Sequence, residues 1–291
     1  MAAISGKRGA VDGQGTVKNW NIGIQSNLPA YRASNTLLGT GRVRGIQDWS
    51  GSFDQITSGP TLFPGETFTF KGFCGPLDPT GVSPRGTIWE GTAIVSEVAI
   101  TWDWRNNELV SSTISFESAG PLTVLDDQGE IEDLTIPDLE SVCGLKVEYY
   151  NTADAWVVWP NVASVNLRLR SENPTFSNSS TISAGKCYVS RTQGPLDFDL
   201  DIMEDNETLE DQGISIAANV GDDVAVRVYV DATKFWGLTW CKLDAVSDFT
   251  VDIETGRVID RTLNFKMNGF VDGAVGSVYD PIPALKWGTA P

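Results

Sequence analysis

The residues of this chain best placed for chemistry are three alternating carboxylates, Asp197, Asp199 and Asp201, which are separated by single apolar residues. On a β-strand this spacing places the carboxylates on one face and the apolar side chains on the other. A calcium loop would require a glycine at its sharp turn and a terminal bidentate acid, and this segment has no such glycine. The pattern therefore predicts a strand with an acidic face, either solvated or lining a channel, and no metal site.

The residue inventory favours binding or assembly over catalysis. The chain contains no histidine, which removes the commonest general base, the usual zinc ligand and every Ser-His or Cys-His nucleophile pair. Glycoside hydrolysis needs only two carboxylates, and 38 acidic residues offer many pairs, but no particular pair stands out. We expect a protein that is not an enzyme and binds no cofactor, with an acidic glycoside hydrolase as one alternative.

Two tryptophans could form a sugar-stacking platform, because Trp102 and Trp104 share one face of a predicted strand. The internal repeat described below places Val251 and Ile253 at the corresponding positions, and aliphatic side chains cannot stack on sugars. The tryptophans are therefore predicted to belong to the core. A carbohydrate-binding, lectin-like β-sandwich remains the first alternative function.

The four cysteines, Cys74, Cys143, Cys187 and Cys241, form no CxxC spacing, so neither a zinc knuckle nor a thioredoxin-like motif is present. The first twenty residues contain no apolar stretch suited to a signal peptide. We therefore expect reduced, mostly buried thiols in a chain synthesised in a cytoplasm.

Charge and hydropathy limit the partners. The formal net charge is −17, and a compact surface of that charge repels a phosphate backbone, so tight nucleic-acid binding is not expected. No apolar run approaches the ~18 residues of a membrane span. The basic residues, including Arg42 and Arg44, are interpreted as solvated charges or as partners for acidic faces of neighbouring subunits.

The elements that must position these residues are strands. Short segments alternate apolar and polar residues, are rich in β-branched and aromatic side chains, and are separated by turn residues. Two short acidic segments, 204–212 and 138–143, are the only helix candidates. The chain is therefore predicted to be all-β. The predicted strands are 19–24, 67–73, 98–104, 110–116, 166–170, 224–230, 249–253 and 261–267.

An internal repeat organises the chain. A shift of 145 residues aligns 20–54 with 165–199 without a gap, and a shift of 149 aligns 101–120 with 250–269. Two collinear matches separated by a small length change indicate a tandem duplication. Identical pairs include Pro29/Pro174, Phe53/Phe198, Asp54/Asp199, Thr113/Thr262 and Phe116/Phe265.

The repeat predicts two similar domains. We expect a first β-domain at residues 1–122, an acidic linker at 123–144 and a second β-domain at 145–291. Each would be a β-sandwich or open barrel with at most one short helix.

Three segments carry a resemblance to a known family. They are the opening 5–11 leading into 17–22, the Trp-Ser-Gly-Ser-Phe-Asp strand at 49–54, and the Ser-Phe-Glu-Ser-Ala-Gly-Pro-Leu ending at 115–122. In this order they resemble the major tail tube proteins of long-tailed phages (siphophages). The resemblance covers roughly 5–122, and in the second copy only the Phe198-Asp199 pair and the ending at 265–269 keep the pattern.

The resemblance implies a structural protein of the virion, located in the phage tail and synthesised in the host cytoplasm. It implies a β-sandwich with a flanking helix that assembles into stacked rings around a tape-measure protein, with genomic DNA later passing through the lumen. The resemblance also implies tail terminator and tail-tip proteins as partners, and it implies no membrane partner. The candidate lumen-facing acidic positions are Asp54, Asp197, Asp199 and Asp201.

Strand geometry is compatible with this expectation. If each domain gives about four strands to an inner barrel, six domains give roughly 24 strands, a circumference of roughly 115 Å and a backbone diameter of about 37 Å. Side chains occupy about 10 Å of this width, which leaves room for duplex DNA about 20 Å wide. A ring of three domains would be too narrow for duplex DNA, and a ring of twelve would be much wider than DNA requires. Duplicated chains are therefore predicted to form a trimeric ring with pseudo-sixfold symmetry.

Overall fold

The computed structural model describes residues 4–11, 17–31, 40–42, 45–56, 62–76, 86–106, 108–128, 142–150, 155–178, 181–183, 186–206, 220–230, 232, 234–247, 259–267 and 285–289. Within these ranges the fold is all-β, as the sequence predicts, and its one helical element is a 3-10 turn at Val142–Gly144. We call the described residues up to Gln128 the first half and those from Val142 the second half. The described part contains no helix with the length and apolar character needed to cross a membrane.

The strands of the first half are β1 (Ile4–Val11), β2 (Val17–Ser26), β3 (Ala30–Tyr31), β4 (Gly41–Arg42), β5 (Gln47–Ile56), β6 (Thr67–Pro76), β7 (Gly86–Asp103) and β8 (Ser111–Gln128). Those of the second half are β9 (Val147–Tyr150), β10 (Trp156–Val158), β11 (Val162–Ser171), β12 (Thr175–Phe176), β13 (Ile182–Ser183), β14 (Lys186–Cys187), β15 (Ser190–Arg191), β16 (Leu196–Asn206), β17 (Asp223–Tyr229), β18 (Lys234–Val246), β19 (Ile259–Met267) and β20 (Leu285–Thr289).

Seven of the eight predicted strands lie within these elements to within a residue at each end, and 249–253 lies outside the described residues. The helix predicted from Glu204 is wrong at its start. Residues 204–206 continue β16, because the Glu204 carboxylate bonds Arg261 across the ladder to β19. Of the second helix candidate, 138–143, the structure describes residues 142 and 143, and these two begin the 3-10 turn.

Both halves arrange their strands in the same order. The first half reads β1-β6-β7-β8-β5-β2 across the sheet, and the second reads β9-β17-β18-β19-β16-β11. Short ribbons follow the same scheme, with β3 pairing β4 in one half and β12 pairing β15 in the other. The ribbon of β13 and β14 is additional to this scheme.

The pairing register locates the length difference between the halves. The β2–β5 ladder matches the β11–β16 ladder when β11 is shifted by 145 residues and β16 by 149. Four more residues separate Phe176 from Ser190 than separate Tyr31 from Gly41, so the insertion precedes β16. The gap-free alignment of Phe53 with Phe198 is therefore wrong by four residues, and Phe53 corresponds to Ile202.

The two halves share one sheet. β7 pairs with β6 up to Ile94 and then, beyond a register shift between Val95 and Glu97, with β11. Such irregularities bend a strand and change its twist, which allows β7 to leave one neighbour and join another. A row of residues, each paired with the next across neighbouring strands, runs through eight strands, four from each half. We call it the eight-strand row. Its members are Val17, Gln55, Ser112, Ile100, Leu167, Leu200, Phe265 and Leu243.

The predicted linker begins as a strand. Residues 123–128 extend β8, and the extension pairs with the start of β7. The division into two domains stays a prediction.

One face of the eight-strand row is buried. Alternate residues of each strand point into a single apolar cluster that includes side chains from both halves. Fully burying one such side chain contributes about 1.5–3 kcal/mol. Trp49, Phe53, Phe70 and Phe116 form the aromatic part of the first half, with ring centroids 4.7–6.2 Å apart. The opposite face of the row is polar and carries the candidate site residues.

Candidate functional site

The acidic strand has the geometry that its alternation predicts. On β16 the side chains of Phe198, Leu200 and Ile202 are buried, with at most 1% of their surface exposed. Asp197 lies on the opposite face and is exposed, and Asp201 on that face is half-buried. The prediction of a strand with carboxylates on one face is therefore confirmed.

Each of the four candidate acids has a polar partner. Asp54 accepts hydrogen bonds from Asn19 Nδ2 at 2.7 Å and from Thr113 Oγ1 at 2.6 Å. Asp201 accepts one from Asn264 Nδ2. Asp197 accepts one from the backbone N–H of Phe198 at 2.9 Å. Asn19, Thr113 and Asn264 lie on neighbouring strands, so these carboxylates belong to a ladder of polar contacts across the sheet.

Asp199 differs from the other three because its charge is neutralised. Its side chain is only 12% exposed and forms ion pairs with Arg170 on β11 and Lys266 on β19. Arg168 lies on the same face. This face is therefore mixed in charge rather than uniformly acidic, and its orientation towards a lumen stays a prediction.

The two tryptophans connect the halves. Trp102 is fully buried, as predicted, and its Nε1 donates to the backbone carbonyl of Tyr229 at 3.0 Å. Trp104 is half-buried, and its Nε1 donates to the carbonyl of Leu145 at 3.3 Å. Both acceptors belong to the second half, so these indoles seal the junction and do not form a sugar platform.

The junction between the halves is an edge-to-edge β-ladder. Seven consecutive residue pairs join β7 to β11, from Glu97 opposite Arg170 to Asp103 opposite Ser164. The apolar side of this ladder buries Leu169, of which only 2% remains exposed. An edge strand of one half thus completes the sheet of the other.

A largely buried arginine clamps the same junction. Arg191 on β15 reaches the first half and donates two hydrogen bonds to Asp48, from Nη1 and Nη2, at 2.9 Å each. Its Nε lies 3.1 Å from Glu117, and Nη1 also donates to the backbone carbonyl and hydroxyl of Ser118 at 3.0 and 2.8 Å. The Arg191 side chain is only 9% exposed. Bidentate arginine–carboxylate pairs of this kind fix orientation as well as adding energy.

The clamp changes the ionisation of its members. Burial opposes the ionisation of Asp48, but hydrogen bonds from Arg191 and Ser118 outweigh burial, so the pKa of Asp48 lies below its ordinary value of 3.8. The hydrogen bond to Asp48 raises the pKa of Arg191 in spite of burial. Both groups are therefore charged at neutral pH.

The first half carries the same edge and the same arginine without the junction. β2 corresponds to β11, and within the described residues its ladder partner is β5 alone. Ile24 corresponds to Leu169 and is 46% exposed. Arg42 corresponds to Arg191 and is exposed. These equivalences leave β2 as an open edge.

The second half carries the matching acceptor edge. In the first half, Gly65 and Glu66 bond the backbone of Val95, two residues before the pairing of β7 with β11 begins at Glu97. Gly221 and Asp222 bond Leu243 in the same way. Both glycines have the positive φ, 84° and 96°, that favours glycine. In the described residues β18 has no ladder partner on this side after residue 243.

A buried ion pair distinguishes the second half. Glu204 and Arg261 are each 1% exposed, with Arg261 Nε donating to Glu204 Oε2 at 2.7 Å. Trp159 Nε1 donates to the other carboxylate oxygen. The register places Gln55 and Ser112 at the corresponding positions of the first half, and both are buried. Sequence reasoning missed this pair, because isolated charges on strands are usually solvated.

A cavity of about 320 Å³ lies at the junction. Phe63 and Glu66 from the first half and Leu169, Asp197 and Phe198 from the second contribute to its lining. The lining is mostly apolar, and Glu66 Oε2 is engaged by the Phe63 N–H at 2.9 Å. Among the described residues no group of three or more metal-ligating side chains occurs.

The described thiols agree with only part of the expectation. Cys74, Cys187 and Cys241 are free, as predicted, but of these three only Cys241 is buried, since Cys74 is half-buried and Cys187 exposed. The side chain of Cys143 lies outside the described residues. Cys187 lies in the β13–β14 ribbon, where the sequence has no apolar alternation. Burial raises the pKa of the Cys241 thiol to about 12, which makes it unreactive.

The Arg191–Asp48 clamp was not predicted from the sequence. A signal was available, since Arg42/Arg191 and Asp48/Asp197 are identical pairs at the shift of 149. Comparison with protein-family models and with curated proteins finds no match to the chain.

Proposed function

We propose that the chain is the major tail tube subunit of a long-tailed phage, and that it assembles through its sheet edges into stacked rings that conduct DNA. The observation that carries this proposal is the junction of β7 with β11. It joins two four-strand units edge to edge and leaves an equivalent donor edge on β2, while residues 244–246 of β18 form the described start of an equivalent acceptor edge.

A molecule with one donor edge and one acceptor edge can bind further copies of itself in succession. An interface in which the donor and acceptor surfaces differ is head-to-tail, and it closes into a ring when the rotation allows. Pairing also removes exposed strand edges, which otherwise promote aggregation. The sequence resemblance to tail tube proteins over roughly 5–122 points to the same kind of assembly.

The strand count agrees with a trimer. Eight strands per chain at ~4.8 Å give an arc of roughly 38 Å, and three chains give roughly 115 Å. The backbone diameter is then about 37 Å before strand tilt widens it, which admits duplex DNA. Two chains would give about 24 Å across the backbone, too narrow once side chains are included.

The net charge of the chain also suits the passage of DNA through the proposed lumen. The net charge is −17, and an acidic wall repels phosphate without releasing counterions on contact. In the proposed ring the polar face of the eight-strand row lines the lumen, where the carboxylates of Asp54 and Asp201 supply negative charge. Asp199 lies between Arg170 and Lys266 and offsets one of their two positive charges, which weakens the attraction of these side chains for DNA.

Electron microscopy of the purified chain tests the proposal. We expect rings or tubes with strict threefold and approximate sixfold symmetry and a lumen wide enough for duplex DNA. A chain that stays monomeric by light scattering at all concentrations, and that binds glycans on an array, would refute the proposal and support the lectin-like alternative.

A further inference from the structure

The two halves carry the parts of one clamp twice. Arg191 of the second half grips Asp48 of the first half. The register places Arg42 where Arg191 lies, because Ala30 pairs Arg42 as Thr175 pairs Arg191. The same register places Asp197 where Asp48 lies, as the second residue of β16 and of β5 respectively.

The surroundings of these residues are also duplicated. Asn27 N donates to Ile46 O at 3.0 Å, and Glu172 N donates to Pro195 O at 3.1 Å. A Cβ added to Gly45 would collide with the carbonyl of Asn27, and one added to Gly194 would collide with that of Glu172. The arginine-bearing ribbons therefore leave their sheets by the same path. Asp48 accepts from the Trp49 N–H as Asp197 accepts from the Phe198 N–H.

Within a single molecule, Arg42 and Asp197 are not paired with each other as Arg191 and Asp48 are. Arg42 and Asp197 are both exposed, whereas the Arg191 side chain is 9% exposed. The strand that leads to Arg42 is β2, whose apolar residues Trp20, Ile22 and Ile24 are half-covered or exposed. Their counterparts on β11 are each at most 2% exposed, because β7 covers them.

We infer that Arg42 of one molecule forms a bidentate ion pair with Asp197 of a second molecule of this chain, while β2 adds to the β18 edge of that molecule. The inference rests on the proposed function, since it assigns the contact by which the rings close. The occupant of the open edge is a second copy, because the chain already makes this interface once with its own other half.

The intermolecular clamp differs from the internal one in its accessory contacts. Lys266 and Met267 replace Glu117 and Ser118 at the shift of 149. Lys266 shares the single carboxylate of Asp199 with Arg170, so these three side chains keep a net positive charge, and Lys266 opposes Arg42 where Glu117 attracts Arg191. The intermolecular clamp is therefore weaker than the Arg191 clamp, as suits a contact that forms only on assembly.

Charge reversal tests the inference. Arg42→Asp and Asp197→Arg should each raise the protein concentration needed for assembly about 30-fold, which corresponds to about 2 kcal/mol. The double reversal should restore assembly to within a few-fold. Lys71→Asp is the matched control, since Lys71 lies on β6, a strand paired on both sides by β1 and β7.

The outcomes separate the two proposals. Wild-type assembly that Arg42→Asp leaves unchanged would overturn the clamp alone, and a wild-type chain that never assembles would overturn both. Both residues are exposed in the monomer, so circular dichroism of the variants should match the wild type. If a reversal variant does not fold, Arg42→Gln and Asp197→Asn replace it, and unchanged assembly of both would overturn the clamp.

Discussion

The buried Glu204–Arg261 pair gives a quantitative prediction for the second half. Arg261→Ser introduces the residue that the first half has at this position, and it leaves the Glu204 carboxylate buried without its cation. Removing one partner of a buried ion pair costs about 3–5 kcal/mol, because the remaining charge is uncompensated. We expect a loss of unfolding free energy in that range.

The double variant Glu204→Gln/Arg261→Ser reproduces the first-half pair of Gln55 and Ser112. It removes the uncompensated charge and keeps an oxygen that accepts from Trp159 Nε1. The loss that remains comes from the packing of the arginine side chain, about 1–2 kcal/mol. The double variant should therefore be more stable than Arg261→Ser by about 2 kcal/mol.

Urea unfolding of the unassembled chain measures these differences, followed by fluorescence of the ten tryptophans. Lys71→Ser is the control, because it breaks a surface pair with Glu90 in which both side chains are about one third exposed. Such pairs contribute at most about 1 kcal/mol. Equal shifts for Arg261→Ser and Lys71→Ser, or a double variant no more stable than Arg261→Ser, would refute the reasoning.

Three further predictions concern the edge, the clamp and the thiols. Ile24→Lys should block assembly without unfolding the monomer, since the side chain is 46% exposed before assembly and covered after it; tubes of normal yield by microscopy would contradict this. Burial opposes the ionisation of Asp48, but hydrogen bonds from Arg191 and Ser118 outweigh it and hold its pKa below 3.8, so the clamp's stabilisation is complete above about pH 5 and is lost as pH falls through the folded-state pKa. Thermal unfolding between pH 2.5 and about pH 6 should therefore show a weaker acid dependence in Asp48→Asn, and an unchanged dependence would count against the clamp. Maleimide should label Cys187 quickly and Cys241 only on unfolding, as mass spectrometry can establish.

The sequence was sufficient for the fold class because alternation with period two is a local signal. It predicted the faces of β16 and the burial of Trp102. It placed the four-residue insertion wrongly, since a shift of four preserves alternation and aligns Phe53 with Phe198 as plausibly as with Ile202. Only the cross-strand register distinguishes the two alignments.

Long-range contacts were beyond the sequence pattern. The pairing of β7 with β11 depends on where a long strand bends, and no local signal fixes that point. The burial of Glu204 and Arg261 depends on three strands meeting, so charge on a strand was interpreted as solvated. The repeated Arg42/Arg191 and Asp48/Asp197 pairs were visible in the sequence, but their meaning required the junction.

A cryo-electron microscopy reconstruction of the assembled chain tests the central claim most directly. The account predicts rings of three molecules in which β2 of each lies against β18 of the next, with eight strands per molecule around the lumen. Rings joined through other surfaces, or a lumen lined by the apolar face of the sheet, would contradict it.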